Sequence, residues 1–225
     1  LSPTPRPALL LPLLRQTYEV WSLESNWFLF YGFFMLVAAY AAGQLPVLGL
    51  PLSLALEGPL AAGLILATRR VLLEERPGVE DFMGGFRGAQ RLTLLALLSL
   101  LVSTLVLAGV LLLIVPGILL ASLWAVALPA LMLEGGGLLD CLRTSVALTR
   151  PRLGLVAVLV VAQGLIQLLL ALPMARVVLA QGQPTLAQIL PFLLGLGLLG
   201  PIHGILNTLL YLRLKEEAGH TLARG

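Results

Sequence analysis

Six long apolar runs, separated by short polar stretches, organise this chain. They fall at about 26–43, 48–68, 92–114, 117–133, 153–172 and 187–212, and each approaches or exceeds the roughly 20 residues a helix needs to cross about 30 Å of hydrocarbon. Gly43-Gln44-Leu45-Pro46 and Val115-Pro116-Gly117 read as turns too short for anything but antiparallel hairpins. The longer connection at 173–188 carries Pro173, Arg176 and Pro184, and its Thr185 to Gln188 spacing fits a capping box that starts the sixth run. The remaining polar stretches, at about 8–25, 76–91 and 137–150, each precede a hairpin. In the last, Leu138, Leu139, Leu142, Ser145, Val146 and Thr149 fit a helix with one apolar face and one partly polar face. All three are expected as amphipathic helices in the headgroup layer. The pattern predicts an all-α membrane protein forming one integral domain over 1–225. Six transmembrane helices would form three hairpins, each preceded by a cytoplasmic amphipathic helix.

Pro59, Pro129 and Pro201 fall inside the second, fourth and sixth runs at intervals of 70 and 72 residues, and two of them follow glycine. A proline within a helix removes a hydrogen bond and crowds the preceding turn, so these three helices are expected to be kinked or irregular. The spacing fits a threefold internal repeat. It also fits the ordinary frequency of proline in membrane helices.

With 59% hydrophobic and 11% charged residues and a mean hydropathy of +1.00, the chain is far from the roughly 25% charge of a soluble domain. Lipid solvates such a surface, while helical hydrogen bonds satisfy the backbone. Of the 14 Lys and Arg residues, all but Arg176 fall on one side of this map, which places both termini in the cytoplasm. The basic pI of about 9.5 therefore reads as topology, not as affinity for nucleic acid. Cys141 is the single cysteine, which excludes an intrachain disulfide and fits a reducing compartment. The start of the sequence has no charged n-region, so no signal peptide is expected. Arginine far outnumbers lysine, which points to a GC-rich bacterial genome and to the inner membrane.

Glu57 and His203 are the sharpest candidate residues. Counting from Arg69 and Arg213 at 1.5 Å per residue puts them about 18 and about 15 Å inside their helices, at a shared depth. A charge there costs roughly 2.5–3.5 kcal/mol on insertion scales, so Glu57 should face the bundle interior. With Asn207 and Gln163 as neighbours, the pair forms either a proton or substrate relay or a hydrogen-bonded lock between helices. Arg143, Arg150 and Arg152 form either a site for anionic lipid phosphates or ordinary topological anchors. Glu134 is expected to pair with Arg143 and dock the third surface helix. Gly195 to Gly200 has dinucleotide-loop spacing, but its apolar helical setting makes that a false positive. Gly200 and Gly204 have the small-xxx-small spacing of close helix contacts. Trp21, Trp27, Tyr31 and Tyr211 read as interfacial anchors. No residue set has metal-ligand or catalytic-triad spacing, so no metal, cofactor or catalytic residue is expected.

The segments Ile114-Val115-Pro116-Gly117-Ile118, Leu128-Pro129, Leu133-Glu134-Gly135, Leu142-Arg143-Thr144-Ser145 and Leu148-Thr149-Arg150 carry a resemblance. So do Asp81-Phe82 to Gly85-Phe86 and Leu210-Tyr211-Leu212-Arg213. Together they resemble the bacterial membrane domain attached to some glycerophosphodiester phosphodiesterases and found in stand-alone six-helix proteins. The resemblance implies a membrane architecture. The catalytic domain of those enzymes, with its metal-binding carboxylates and histidines, has no counterpart in this sequence. The expected function is a non-enzymatic membrane protein that interacts with lipids or amphiphiles, in a transport-associated or envelope-maintenance role. A small transporter or channel using Glu57 and His203 is the alternative, and a membrane-embedded lipid enzyme ranks below both. Membrane lipids, anionic ones included, are the expected partners.

Overall fold

Where the apolar pattern runs unbroken, the chain is helical. The computed structural model describes residues 10–43, 45, 48–179 and 186–222, and no strand occurs among them. The helices are α1 (Leu10–Leu23), α2 (Ser25–Gly43), α3 (Gly49–Leu72), α4 (Val79–Phe82), α5 (Ala89–Leu112), α6 (Ile114–Leu123), α7 (Ala127–Glu134), α8 (Leu138–Thr149), α9 (Leu153–Leu179) and α10 (Leu186–Leu222). Short 3-10 turns, Met83–Phe86 and Arg150–Arg152, follow α4 and α8. Among the described residues, four helical runs are long and apolar enough to cross a bilayer: Gly49–Leu72, Ala89–Leu112, Ile114–Glu134 and Leu138–Leu170. Leu107, Leu111, Leu165, Leu168 and Leu169 point outward from them. Water would penalise that surface, whereas hydrocarbon does not. These are the features of a multi-pass membrane protein.

Packing closes a circuit. α2 lies against α3, α3 against α5, α5 against α6, α6 against α9, α9 against α10, and α10 returns to α2. Leu64, Leu95, Leu98, Val126, Ile205 and Leu209 are sealed inside. Two seams are set by prolines. Pro59 lies within α3 and deprives the Ala55 carbonyl of its partner; the hydroxyl of Ser99, on α5, donates to that carbonyl at 3.2 Å. Pro201 likewise frees the Gly197 carbonyl in α10, and Gly32 of α2 sits so close that a Cβ there would collide with Gly197 O and Pro201. Both helices continue through their proline, with the freed group turned towards a neighbour.

The fourth apolar run behaves differently. Instead of kinking at Pro129 it breaks at Trp124–Val126, dividing the expected 117–133 span into α6 and α7. Pro129 thereby becomes the third residue of α7, where a helix has no use for the missing N–H. The carbonyl of Leu123, at the end of α6, accepts hydrogen bonds from Ser145 (2.8 Å) and Thr149 (3.1 Å) of α8. The expected turn at Val115-Pro116-Gly117 is also corrected: these residues belong to α6, and Leu113 alone, in extended backbone, reverses the chain. Pro116 fits because it is in the first turn. Gly109 and Gly117 let α5 and α6 meet backbone to backbone, since a Cβ on Gly109 would lie 2.9 Å from the Gly117 Cα.

Two of the three surface stretches are amphipathic helices. α1 buries Leu13, Thr17 and Val20, exposes Arg15 and Glu19, and packs on α10. α8 buries Cys141, Ser145 and Thr149 at the i, i+4 spacing of one helical face. The stretch at 76–91 does not form the third helix. It is the short α4, whose Asp81 accepts from the Gly78 N–H at 2.9 Å, followed by a 3-10 turn. Gly84 and Gly85 press into α3 at Leu66 and Pro59, where a Cβ would collide, and Gly88, at φ +85°, takes a conformation glycine adopts without strain. An amphipathic helix would hold the chain too far from α3 for these contacts.

Beyond Pro173, α9 continues to Leu179, so the expected outer loop is partly helix. Its remainder and the Thr185 to Gln188 cap, with the side chains of Arg176 and His220, lie outside what is described.

Candidate functional site

Polar side chains in the apolar runs converge on one place. Glu57, Gln163, His203 and Asn207 all line a cavity of about 440 Å³ to which α2, α3, α5, α6, α7, α9 and α10 contribute. Ligand cavities span roughly 300–1,000 Å³ and combine apolar walls with a few convergent polar groups. Leu64, Ile65, Leu98, Val102 and Leu128 supply such walls. Glu57 is exposed, and His203, Asn207 and Gln163 are half-buried.

The expected Glu57–His203 pair takes another form. Glu57 accepts a hydrogen bond from Ser103 at 3.2 Å, and His203 Nδ1 lies 3.4 Å from Gln167 Nε2. Each member therefore has its own partner, both partners line the same cavity, and neither had been singled out in the sequence. The buried Nε2 of Gln163 has no hydrogen-bond partner. Two glycines leave the cavity room: a Cβ at Gly164 or Gly200 would meet no atom within 4 Å. Gly200 is thus a cavity residue and not a close helix contact. Gly204 does pack closely, against the Leu64 side chain.

The basic residues also sort themselves. Arg152 is held by Glu217 through Nε and Nη2, both at 3.2 Å. Arg143 and Arg150 instead line a second depression, of about 450 Å³, with Trp124, Leu139, Leu142 and Val146. Glu134 does not pair with Arg143. Its carboxylate takes Lys215 at 2.8 Å and the Tyr211 hydroxyl, which ties α7 to α10. Arg143 cannot compete, because it faces the depression on the outer side of α8.

Tyr31 and Tyr211 are buried, not interfacial: Tyr31 donates to the Leu60 carbonyl and joins α2 to α3. A third depression, of about 320 Å³, is lined by Arg69, Arg70, Arg87 and Arg91 together with Glu75, Glu80 and Asp81. Arg70 already bonds Glu80 and Asp81 at 2.8 Å each, so the acids offset most of that cluster's charge.

No group of three or more His, Cys, Asp or Glu residues suited to a metal occurs among the described residues. No family model, curated protein or solved structure matches this chain.

Proposed function

We propose that this is a non-enzymatic protein of a bacterial inner membrane that holds an amphiphile within the bilayer, in a transport-associated or envelope-maintenance role. In this reading six helices cross as three hairpins, α6 and α7 together forming the fourth crossing, and both termini are cytoplasmic. The likeness to the membrane domain of certain glycerophosphodiester phosphodiesterases belongs to the same proposal.

One observation carries it: polar groups from α3, α5, α9 and α10 meet in an apolar-walled cavity, and beside the Glu57–Ser103 and Gln167–His203 contacts the buried Gln163 Nε2 is left without a partner. A purely structural lock would leave no such donor over, because an unsatisfied polar group in hydrocarbon is costly. Here the spare donors and acceptors face a space that a headgroup can enter while its chain lies along the leucines.

Photolabelling tests this. The protein is placed in nanodiscs doped with a diazirine-bearing fatty acid, and labels are mapped by mass spectrometry. Labels at Gln163, Gly200 and His203, abolished by Gly200→Leu, are expected. Labels confined to the outward Leu165, Leu168 and Leu169 would remove the proposal.

The contact between Glu57 and Ser103 favours a second reading, a proton or solute relay through Glu57 and His203. Glu57→Gln separates the two: normal folding with lost proton flux in liposomes supports the relay, and unchanged flux removes it.

A further inference from the structure

We propose that the intramembrane cavity and the Arg143/Arg150 depression form one binding site for an anionic, phosphate-bearing lipid, and that Trp124 is the partition its acyl chain passes. The inference rests on the amphiphile reading above and names its ligand class.

Trp124 lines both spaces. It stands at the first position of the break between α6 and α7, and its side chain is half-buried. Non-helical backbone at membrane depth is tolerated where it is buried in protein or lines a cavity, and broken helices mark binding sites in transporters. Ser145 and Thr149 hold the end of α6 by bonding Leu123 O.

Those bonds also fix the register of α8. With Cys141, Ser145 and Thr149 turned inward, Leu139, Arg143, Val146 and Arg150 share the neighbouring face and line the depression. Arg143 and Arg150 lie seven residues apart, two turns along that face. Among the described residues neither makes an ion pair, and no carboxylate lines their depression, whereas Arg69, Arg87 and Arg91 share theirs with Glu75, Glu80 and Asp81. Guanidinium groups without carboxylate partners suit phosphate oxygens. The apolar floor of Trp124, Leu139 and Leu142 suits the first methylenes of a chain. Past Trp124 the chain reaches the leucine walls of the cavity. A free phosphate would use the arginines but not the floor.

Two measurements decide. Native mass spectrometry compares retention of dioleoyl phosphatidylglycerol and dioleoyl phosphatidylcholine by the full chain, with inorganic phosphate as a soluble competitor. Preferential retention of phosphatidylglycerol, falling about tenfold in Arg143→Gln/Arg150→Gln and unchanged in Arg76→Gln, is expected. Fluorescence of Trp124, in a Trp21→Phe/Trp27→Phe background, should be quenched more by phosphatidylglycerol brominated along its chain than by brominated phosphatidylcholine. Gly164→Leu, which fills the cavity side, should weaken that quenching. Retention indifferent to the arginines, displacement by millimolar phosphate, or equal quenching by both lipids would overturn the inference. If cavity photolabelling at Gln163 and His203 persists while the arginine variants change nothing, this inference alone fails. If labelling is absent from the cavity, the underlying reading fails first.

Discussion

Replacing Ser99 tests how this protein tolerates proline in its interior. The Ser99 side chain is fully buried, and its hydroxyl lies 3.2 Å from Ala55 O, 3.0 Å from Leu95 O and 3.1 Å from Ala96 O. One proton serves three acceptors. Two of them belong to its own helix and keep their backbone partners, whereas Ala55 O has lost its donor to Pro59. Stranding a buried acceptor costs about 1–3 kcal/mol, and side-chain hydrogen bonds in membranes average about 0.6 kcal/mol. Ser99→Ala should therefore cost about 1–2 kcal/mol. In a Pro59→Ala background the N–H of residue 59 returns to Ala55 O, and the same change should cost about 0.5 kcal/mol or less, a coupling near 1 kcal/mol. Reversible unfolding in mixed micelles, titrated with dodecyl sulfate and followed by circular dichroism, measures all four corners of the cycle. If the two substitutions add to within about 0.3 kcal/mol, Ser99 serves only its own helix and the capping argument is wrong.

Gly32→Val should be far more damaging than Gly164→Val, because one collides with the α10 backbone and the other enters open space. A loss on the order of 3 kcal/mol against less than about 1 kcal/mol, read by the same unfolding assay, is expected. Lys215→Ala should expose the loop after α7 to limited proteolysis, since Glu134 is held by Lys215 and Tyr211; Arg143→Ala should leave the cleavage rate within about twofold. Outside the apolar spans, a hydrogen bond from its own backbone N–H, then Arg70, holds the Glu80 carboxyl below its ordinary range. A depressed carboxylate stabilises the fold above its unfolded pKa, and that contribution fades as pH falls through the lower folded value. A nitroxide at the exposed Met83, in a Cys141→Ala background, should therefore gain mobility only below about pH 4. A transition between pH 5 and 7 would contradict the assignment.

The long helices were legible because 18 or more apolar residues in a row have few other solutions. α2, α3, α5 and α9 begin within a few residues of their expected positions. The cavity was half legible. Glu57, Gln163, His203 and Asn207 stood out as polar residues in apolar runs, yet the i, i+4 pairs Ser99/Ser103, Gln163/Gln167 and His203/Asn207 carried more information than any single residue. Each pair presents one polar stripe on its helix, and the stripes on α5, α9 and α10 reach the same space. That Glu57 pairs with Ser103 and His203 with Gln167, and not with each other, was not legible, because equal depth says nothing about which way a helix is rotated. The same gap explains Glu134: its partner came from α10, more than seventy residues away, and not from the nearby Arg143. The stretch at 76–91 misled because its charges and aromatics imitate an amphipathic helix. Gly84, Gly85 and Gly88 were the contrary signal, and they matter through their contact with α3.

The three prolines of the even-numbered runs show why the fourth run became the exceptional one. Where a neighbouring helix brings a hydroxyl or a bare glycine against the freed carbonyl, as Ser99 does for Ala55 and Gly32 for Gly197, the helix can run on. Ahead of Pro129 the chain instead releases its ladder at Trp124–Val126 and hands the Leu123 carbonyl to two hydroxyls of α8. That solution costs helical hydrogen bonds but anchors an amphipathic helix to the end of α6. It also leaves a large aromatic side chain between the polar interior and two unpaired arginines. A straight fourth helix would have separated those two spaces with a wall of backbone, whereas a broken one separates them with a rotamer.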